Sequence, residues 1–146
     1  MSVPVSVVIP HYHDLKGLEL CLQALARQTY PTDRFEIVVA DNNSPEGEEA
    51  VRAAIGGRAR LVTVTEKGAG PARNGGVAVS GGGILAFTDS DCVPEPEWLA
   101  EGLAALSDYD FIGGRVTVLV DNPSRMNGAE AFERVFAFDL DRKSVV

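Results

Sequence analysis

The residues best equipped for chemistry stand in four short clusters, and the densest is Asp89-Ser90-Asp91. In an extended strand, residues i and i+2 point to the same side. Two carboxylates at that spacing repel unless positive charge lies between or beside them. A hard divalent cation such as Mg²⁺ or Mn²⁺ supplies that charge and can bridge diphosphate oxygens at the same time. Helix capping accounts for the pair as well, with Asp91 capping a segment that starts near Pro94. Asp41-Asn42-Asn43-Ser44 forms the second cluster. Its carboxylate and amides can bond a base edge or ribose hydroxyls, or close Asx turns at the start of a helix. Asp41 is the stronger ligand candidate, and Ser44 reads as a cap.

The third cluster is Lys67-Gly68-Ala69-Gly70-Pro71-Ala72-Arg73-Asn74-Gly75-Gly76. Glycines let a backbone approach a ligand closely, and a helix N-terminus attracts anions. Arg73 would project from the first turn of that helix toward a base or phosphate. Tight turns and close helix packing explain the individual glycines equally well. The segment is not a dinucleotide fingerprint, because Arg73 stands where the third glycine belongs and the stretch follows the third strand. It is not a P-loop, because no Gly-Lys-Ser/Thr follows. In the fourth cluster, Pro10-His11-Tyr12-His13-Asp14, the residues His11, Tyr12 and His13 are expected to be exposed, with Tyr12 able to stack on a base. The two histidines are weak ligand candidates, and Cys92 reads as a small apolar packing residue.

Strand-like and helix-like segments alternate so as to bring these clusters together. Val5 to Ile9 is a β-branched run stopped by Pro10. Leu15, Leu18, Leu22 and Leu25 then mark one helix face, with Asp14 as N-cap. A second strand over 36–40 leads to a helix capped by Ser44, with Pro45 in its first position and Gly56-Gly57 at its end. A third strand over 61–64 precedes the glycine-rich turn and a helix through Ala78. The fourth strand, 84–87, runs into the acidic cluster. A helix over 94–106, with Trp98, Leu99, Leu103 and Leu106 inward, comes next. A strand over 111–120 broken by Gly113-Gly114 and an amphipathic helix over 127–142 complete the pattern. This order predicts an α/β fold: a three-layer sandwich with a mainly parallel sheet and right-handed crossovers. Ligands on such sheets bind beyond the carboxyl ends of the strands, and every polar cluster falls at that edge.

The 146 residues fit a single domain over 1–146. A net charge of −8 argues against nucleic acid as a partner. It also obliges any phosphate site to supply local positive charge through a metal ion, backbone N–H groups or placed cations. No apolar run is long enough to span a membrane, and the start carries no signal-peptide pattern. Cys21 and Cys92 suggest neither a disulfide framework nor a zinc site, so a cytoplasmic location is the default.

Taken together, Val7-Val8-Ile9-Pro10-His11-Tyr12-His13-Asp14, Val38 to Ser44, Gly70-Pro71-Ala72-Arg73-Asn74 and Phe87-Thr88-Asp89-Ser90-Asp91 resemble the family 2 glycosyltransferases of the GT-A fold. Gln28-Thr29-Tyr30 and Pro94 to Leu99 also match that family, and the likeness covers most of residues 3 to 120. The resemblance implies a Rossmann-like nucleotide-diphospho-sugar transferase with a UDP- or GDP-type donor. Pro10, His11, Tyr12, Asp14, Asp41, Asn42, Lys67, Gly70, Arg73, Asp89 and Ser90 would hold the nucleotide. Asp91, with Asp89, would bind Mg²⁺ or Mn²⁺. Transfer would be metal-dependent and inverting.

Two departures stand out. His13 occupies a place where the family usually has Asn. No Glu-Asp pair that could serve as general base follows Val120, and Glu130 and Glu133 are poor substitutes. The expectation is therefore a C-terminally truncated, donor-binding half with little or no activity alone. A homodimer through the last helix and membrane association of a full-length form are further expectations. Alternatives are a non-catalytic nucleotide- or partner-binding module and a haloacid-dehalogenase-like phosphatase.

Overall fold

A computed structural model describes residues 4–114 and 116 of the chain. The chain divides into two compact units, Met1–Glu101 and Gly102–Val146, and the whole sheet lies in the first. Strands β1 (Val5–His11), β2 (Phe35–Asp41), β3 (Arg60–Thr63) and β4 (Ile84–Phe87) form one parallel sheet in the order β3-β2-β1-β4. Helices α1 (Leu15–Leu25), α2 (Glu48–Ile55), α3 (Ala69–Val79) and α4 (Trp98–Ala105) alternate with the strands.

From β1 the chain steps through α1 to β2 and through α2 to β3, always in one direction. It then returns through α3 to β4 on the other side of β1. Right-handed crossovers therefore put α1 and α2 on one face and α3 on the other. All seven residues of β1 are buried, as a central strand covered on both faces requires. Leu18, Cys21, Leu22 and Leu25 of α1 and Val51 and Ile55 of α2 are buried as well. On the other face α3 lies close to the sheet: a Cβ on Gly76 would meet Val8 Cγ1 at 2.5 Å.

Four expectations from the sequence shift, each for a local reason. Strand β1 runs past Pro10 to His11. The carbonyls of Pro4 and Val8 accept from β4-side amides, whereas that of His11 accepts from Asn42 N–H. Pro10 therefore faces the β4 side, where the ladder has already ended at Val8↔Phe87, and its missing N–H costs no strand bond. Helix α2 starts at Glu48 rather than after Ser44, because Ser44 is engaged elsewhere, as shown below. Helix α4 starts at Trp98 rather than Pro94, since Pro94 and Pro96 keep the residues before them out of the helical region. Residues 111–114 form no strand. The expected strand segment over 117–120 and the helix over 127–142, with the dimer contact proposed for it, lie outside the described residues. No helix among the described residues is long and apolar enough to cross a membrane.

Candidate functional site

The direction of the chain reverses between β1 and β4, and parallel sheets open a crevice at such a switch point. A cleft of about 340 Å³ lies there, lined by Pro10, His11, Tyr12 and Asp14 from β1 and its exit, Asn42 from β2, and Asp89, Ser90 and Asp91 after β4. Ala69, Ala72 and Arg73 close it from α3. The two alanines were not anticipated, although Ala69 stands three residues before Ala72 and four before Arg73, which marks one helix face. Lys67, Gly70 and Asp41 do not line the cleft. Lys67 is exposed in the loop ahead of α3, and a Cβ on Gly70 would meet nothing within 4 Å. A larger cleft of about 410 Å³ lies among Leu22, Leu25, Phe35 and Ile37, with Arg58 and Arg60 at its rim. It sits at the amino ends of β2 and β3 and gathers no acid–base or metal-ligand set, so the smaller one carries the chemistry.

Asp41 is buried at the end of β2. Its side chain is 2% exposed, and its carboxylate is fully engaged within the chain. Oδ1 accepts from His11 Nδ1 at 2.8 Å and from Ser44 Oγ at 2.5 Å, while Oδ2 accepts from Ser44 N–H at 3.0 Å. Ser44 Oγ in turn accepts from His13 N–H at 2.9 Å. Ser44 is therefore a clasp between the exits of β1 and β2, not a helix cap. His11 departs from the expected exposure and is buried. A carboxylate can only accept, so Nδ1 carries the ring proton and Nε2 accepts from Asp14 N–H at 3.2 Å.

Asn42 is spent in a similar way. Its amide donates to the carbonyls of Val64 and Glu66 at 3.0 and 2.6 Å and accepts from Gly68 N–H at 2.9 Å. It ties the exit of β2 to the glycine turn, where Gly68 has φ +125° and lets α3 begin at once. Asp14 caps α1 through Gly17 N–H at 2.9 Å. His13 has φ 49°, in the left-handed region where Asn, Asp and His are the enriched side chains. The backbone thus accounts for an Asn-like position held by His. The His13 ring also meets Glu46 at 2.6 Å. Glu46 lies below the usual carboxylate range because of a hydrogen bond from its own backbone N–H and this His13 contact.

The acidic cluster lies beyond the end of β4, in a turn closed by Cys92 N–H to the Asp89 carbonyl at 3.0 Å. Strand alternation therefore does not align Asp89 and Asp91, yet both line the cleft. Helix α4 starts too far away for Asp91 to cap it. Arg73, in the second turn of α3, donates to Asp89 at 2.6 Å. Asp91 is exposed, and the Cys92 thiol donates to its carboxylate in a long contact of 3.9 Å. Two thiols register the negative field around this turn. Burial and then the Asp91 charge push Cys92 up. Cys21 is pushed up to about 12 by burial, then by Cys92, Asp91 and Asp89. Among the described residues, no three His, Cys, Asp or Glu side chains converge on a metal-binding point. One free carboxylate beside a neutralised one still suits a Mg²⁺-like ion, which typically takes one or two carboxylates and completes its shell with substrate phosphates and water.

Downstream, Gln28 clasps the segment after this turn. Its amide donates to the Glu95 carbonyl at 2.7 Å and accepts from Leu99 N–H at 3.0 Å. The sequence marked Gln28 only through the family likeness, since a polar residue at a helix end carries no signal of a partner 67 to 71 positions away.

Comparison with known proteins gives the following. The model of the family described as Glycosyl transferase family 2 matches residues 6–144. Glycosyltransferase AglE of Haloferax volcanii is 36% identical over 140 residues, covering 92% of this chain and 44% of AglE. Validoxylamine A glucosyltransferase of Streptomyces hygroscopicus subsp. jinggangensis is 35% identical over 105 residues, covering 69% of this chain and 25% of the relative. The chain thus spans less than half the length of these relatives. Among solved structures, the mannosyltransferase PcManGT from Pyrobaculum calidifontis, in complex with GDP-Man and Mn²⁺, superposes with a TM-score of 0.66. It is 32% identical, and the match covers 75% of this chain and 34% of that one. S. aureus TarS 1-349 in complex with UDP gives a TM-score of 0.64 at 25% identity, covering 74% and 33%. The sheet with its helices is therefore the expected α/β fold of the GT-A type.

Proposed function

The chain belongs to the glycosyl transferase family 2, and on that premise we propose that its cleft binds a nucleoside diphosphate-sugar for inverting, metal-dependent transfer to an acceptor hydroxyl. The observation that carries this reading is the convergence of Tyr12, Arg73, Asp89 and Asp91 on one cleft at the switch point. Tyr12, 60% exposed at the rim, offers a stacking face to the base. Pro10 and the clasped Asn42 form a rigid wall beside it. Arg73 and Asp89 neutralise each other across the cleft until a nucleotide arrives; Arg73 can then turn to its phosphates and Asp89 and Ser90 to its ribose.

Asp91, with Asp89 beside it, is the group that would hold Mg²⁺ or Mn²⁺. Such an ion stabilises the charge of the departing nucleoside diphosphate. With so few protein ligands, Asp91 and Asp89 alone would hold the ion weakly, and a bound diphosphate would strengthen its binding. Attack in line with the departing group inverts the anomeric carbon. The general base is not assigned to any described residue, and the 1–146 segment acts as the donor-binding part of the reaction. A phosphatase reading would need a free aspartate nucleophile at Asp89, where Arg73 already sits.

Calorimetric titration with UDP and GDP, with and without Mn²⁺, tests this reading. Mn²⁺ should tighten binding of one of them by about tenfold or more, which is about 1.4 kcal/mol. Asp91→Asn should erase that gain and leave metal-free binding in place. Failure of both nucleotides to bind, an Asp91→Asn variant that keeps the gain, or phosphate release from a simple phosphomonoester would each overturn it.

A further inference from the structure

We infer that His11 is a positioning residue for the nucleoside end of this cleft, acting from beneath it through Asp41 and Asp14 rather than by touching the ligand; this rests on the donor-site reading above. Its ring is completely buried, with a side-chain exposure of 0%. Both nitrogens are committed, Nδ1–H to Asp41 at 2.8 Å and Nε2 to Asp14 N–H at 3.2 Å. One ring therefore joins three pieces of chain: the end of β1, the 41–44 turn after β2 and the cap of α1. Tyr12 and Asp14, which flank this anchor, line the cleft together with His11, whose side chain has no exposed surface. Tyr12 itself is exposed, so the direction in which it presents its ring depends on the backbone held at both ends. On the near end that hold is His11. On the far end it is His13 N–H bonded to Ser44 Oγ, which is itself fixed on Asp41.

The two bonds of His11 differ in kind. The one to Asp41 involves a buried carboxylate and is charge-assisted, the stronger class. The one to Asp14 is a longer contact between neutral groups. Asparagine places an N–H donor close to the position of Nδ1 but offers nothing in place of Nε2. Leucine fills similar space and offers neither. The variants thus separate the stronger bond from mere volume. The acidic turn at Asp89 to Asp91 lies across the cleft, so the phosphate end should not respond to either change.

The test measures dissociation constants for UDP, GDP and inorganic pyrophosphate, each with Mn²⁺, on wild type, His11→Leu and His11→Asn, with thermal melting as a check on folding. His11→Leu should weaken the preferred nucleotide about tenfold and leave pyrophosphate unchanged, and His11→Asn should recover to within about threefold of wild type. Equal weakening of nucleotide and pyrophosphate would mean general loosening and would overturn the role, as would unchanged nucleotide binding by a folded His11→Leu. Should His11→Leu fail to fold, His11→Ala takes its place: a loss of about tenfold for the nucleotide with pyrophosphate unchanged supports the role, and unchanged nucleotide binding or an equal loss for pyrophosphate refutes it. If the wild-type protein binds neither nucleotide, the donor-site reading fails and this role falls with it.

Discussion

Replacing Gly76 by alanine is a small chemical change with a large expected consequence. The new methyl would stand 2.5 Å from Val8 Cγ1 and 3.4 Å from Ala40 Cβ. Carbon contacts are comfortable at about 3.5–4.0 Å, so α3 must lift off the sheet by about 1 Å. Val8 is fully buried in the central strand and cannot swing aside. Overpacking of this kind costs about 1–3 kcal/mol, offset by up to about 1 kcal/mol because alanine is the better helix former. A net loss of about 1 kcal/mol, reaching about 2, is expected. The control lies on the same helix: a Cβ on Gly70 meets nothing within 4 Å, so Gly70→Ala should stabilise by up to about 1 kcal/mol. Function should follow Gly76, because Arg73 lies one turn earlier with its guanidinium 2.6 Å from Asp89. Lifting α3 by about 1 Å takes that pair out of hydrogen-bond range, and nucleotide affinity should fall severalfold. Urea denaturation of both variants, with a nucleotide and Mn²⁺ titration on each, measures the two effects. Midpoints that move in the same direction, or a Gly76→Ala protein at least as stable as wild type, would refute the packing argument.

Two further expectations concern titratable groups. Burial works to raise the carboxyl of Glu36, but hydrogen bonds from Ser6 Oγ and Gly81 N–H outweigh it and hold the group below its ordinary range. The folded state thus binds fewer protons than the unfolded one at that position. Its stabilisation is present above the unfolded pKa and is lost as pH falls through the folded one, so Glu36→Gln should flatten the acid limb of a stability-versus-pH curve, and an unchanged limb would count against the network. Cys21, pushed up to about 12, should resist iodoacetamide at pH 8 until the protein unfolds. Cys92, only partly buried, should be alkylated first, and mass spectrometry of the peptides reads the order directly.

The parallel α/β class and the cluster at the sheet's carboxyl edge were legible in the residues because both follow from periodicity and chain direction, whereas the strand order β3-β2-β1-β4 came only from the structure. An apolar strand-like run ending in a polar group, repeated four times with helical spacing between, leaves few topologies once crossovers are right-handed. Asp14 as a cap and the end of α2 at Gly56 were equally local, each depending on bonds within one turn. The starts of α2 and α4 were less so, because a capping signal at Ser44 and a proline at 94 compete with partners elsewhere.

What the sequence by itself determined was the set of polar groups delivered to one rim and the family signature they form. Only the tertiary structure decided which of them remain free. Asp41, His11, Asn42 and Ser44 look like ligand groups or caps when read along the chain, yet in the fold their donors and acceptors satisfy one another across β1, β2 and the glycine turn. Asp91 stays open because its turn lies past the last ladder bond of β4. Spacing within one segment reports the direction of a side chain, but whether that side chain is already satisfied depends on atoms about 30 residues away, which the fold alone brings within bonding distance.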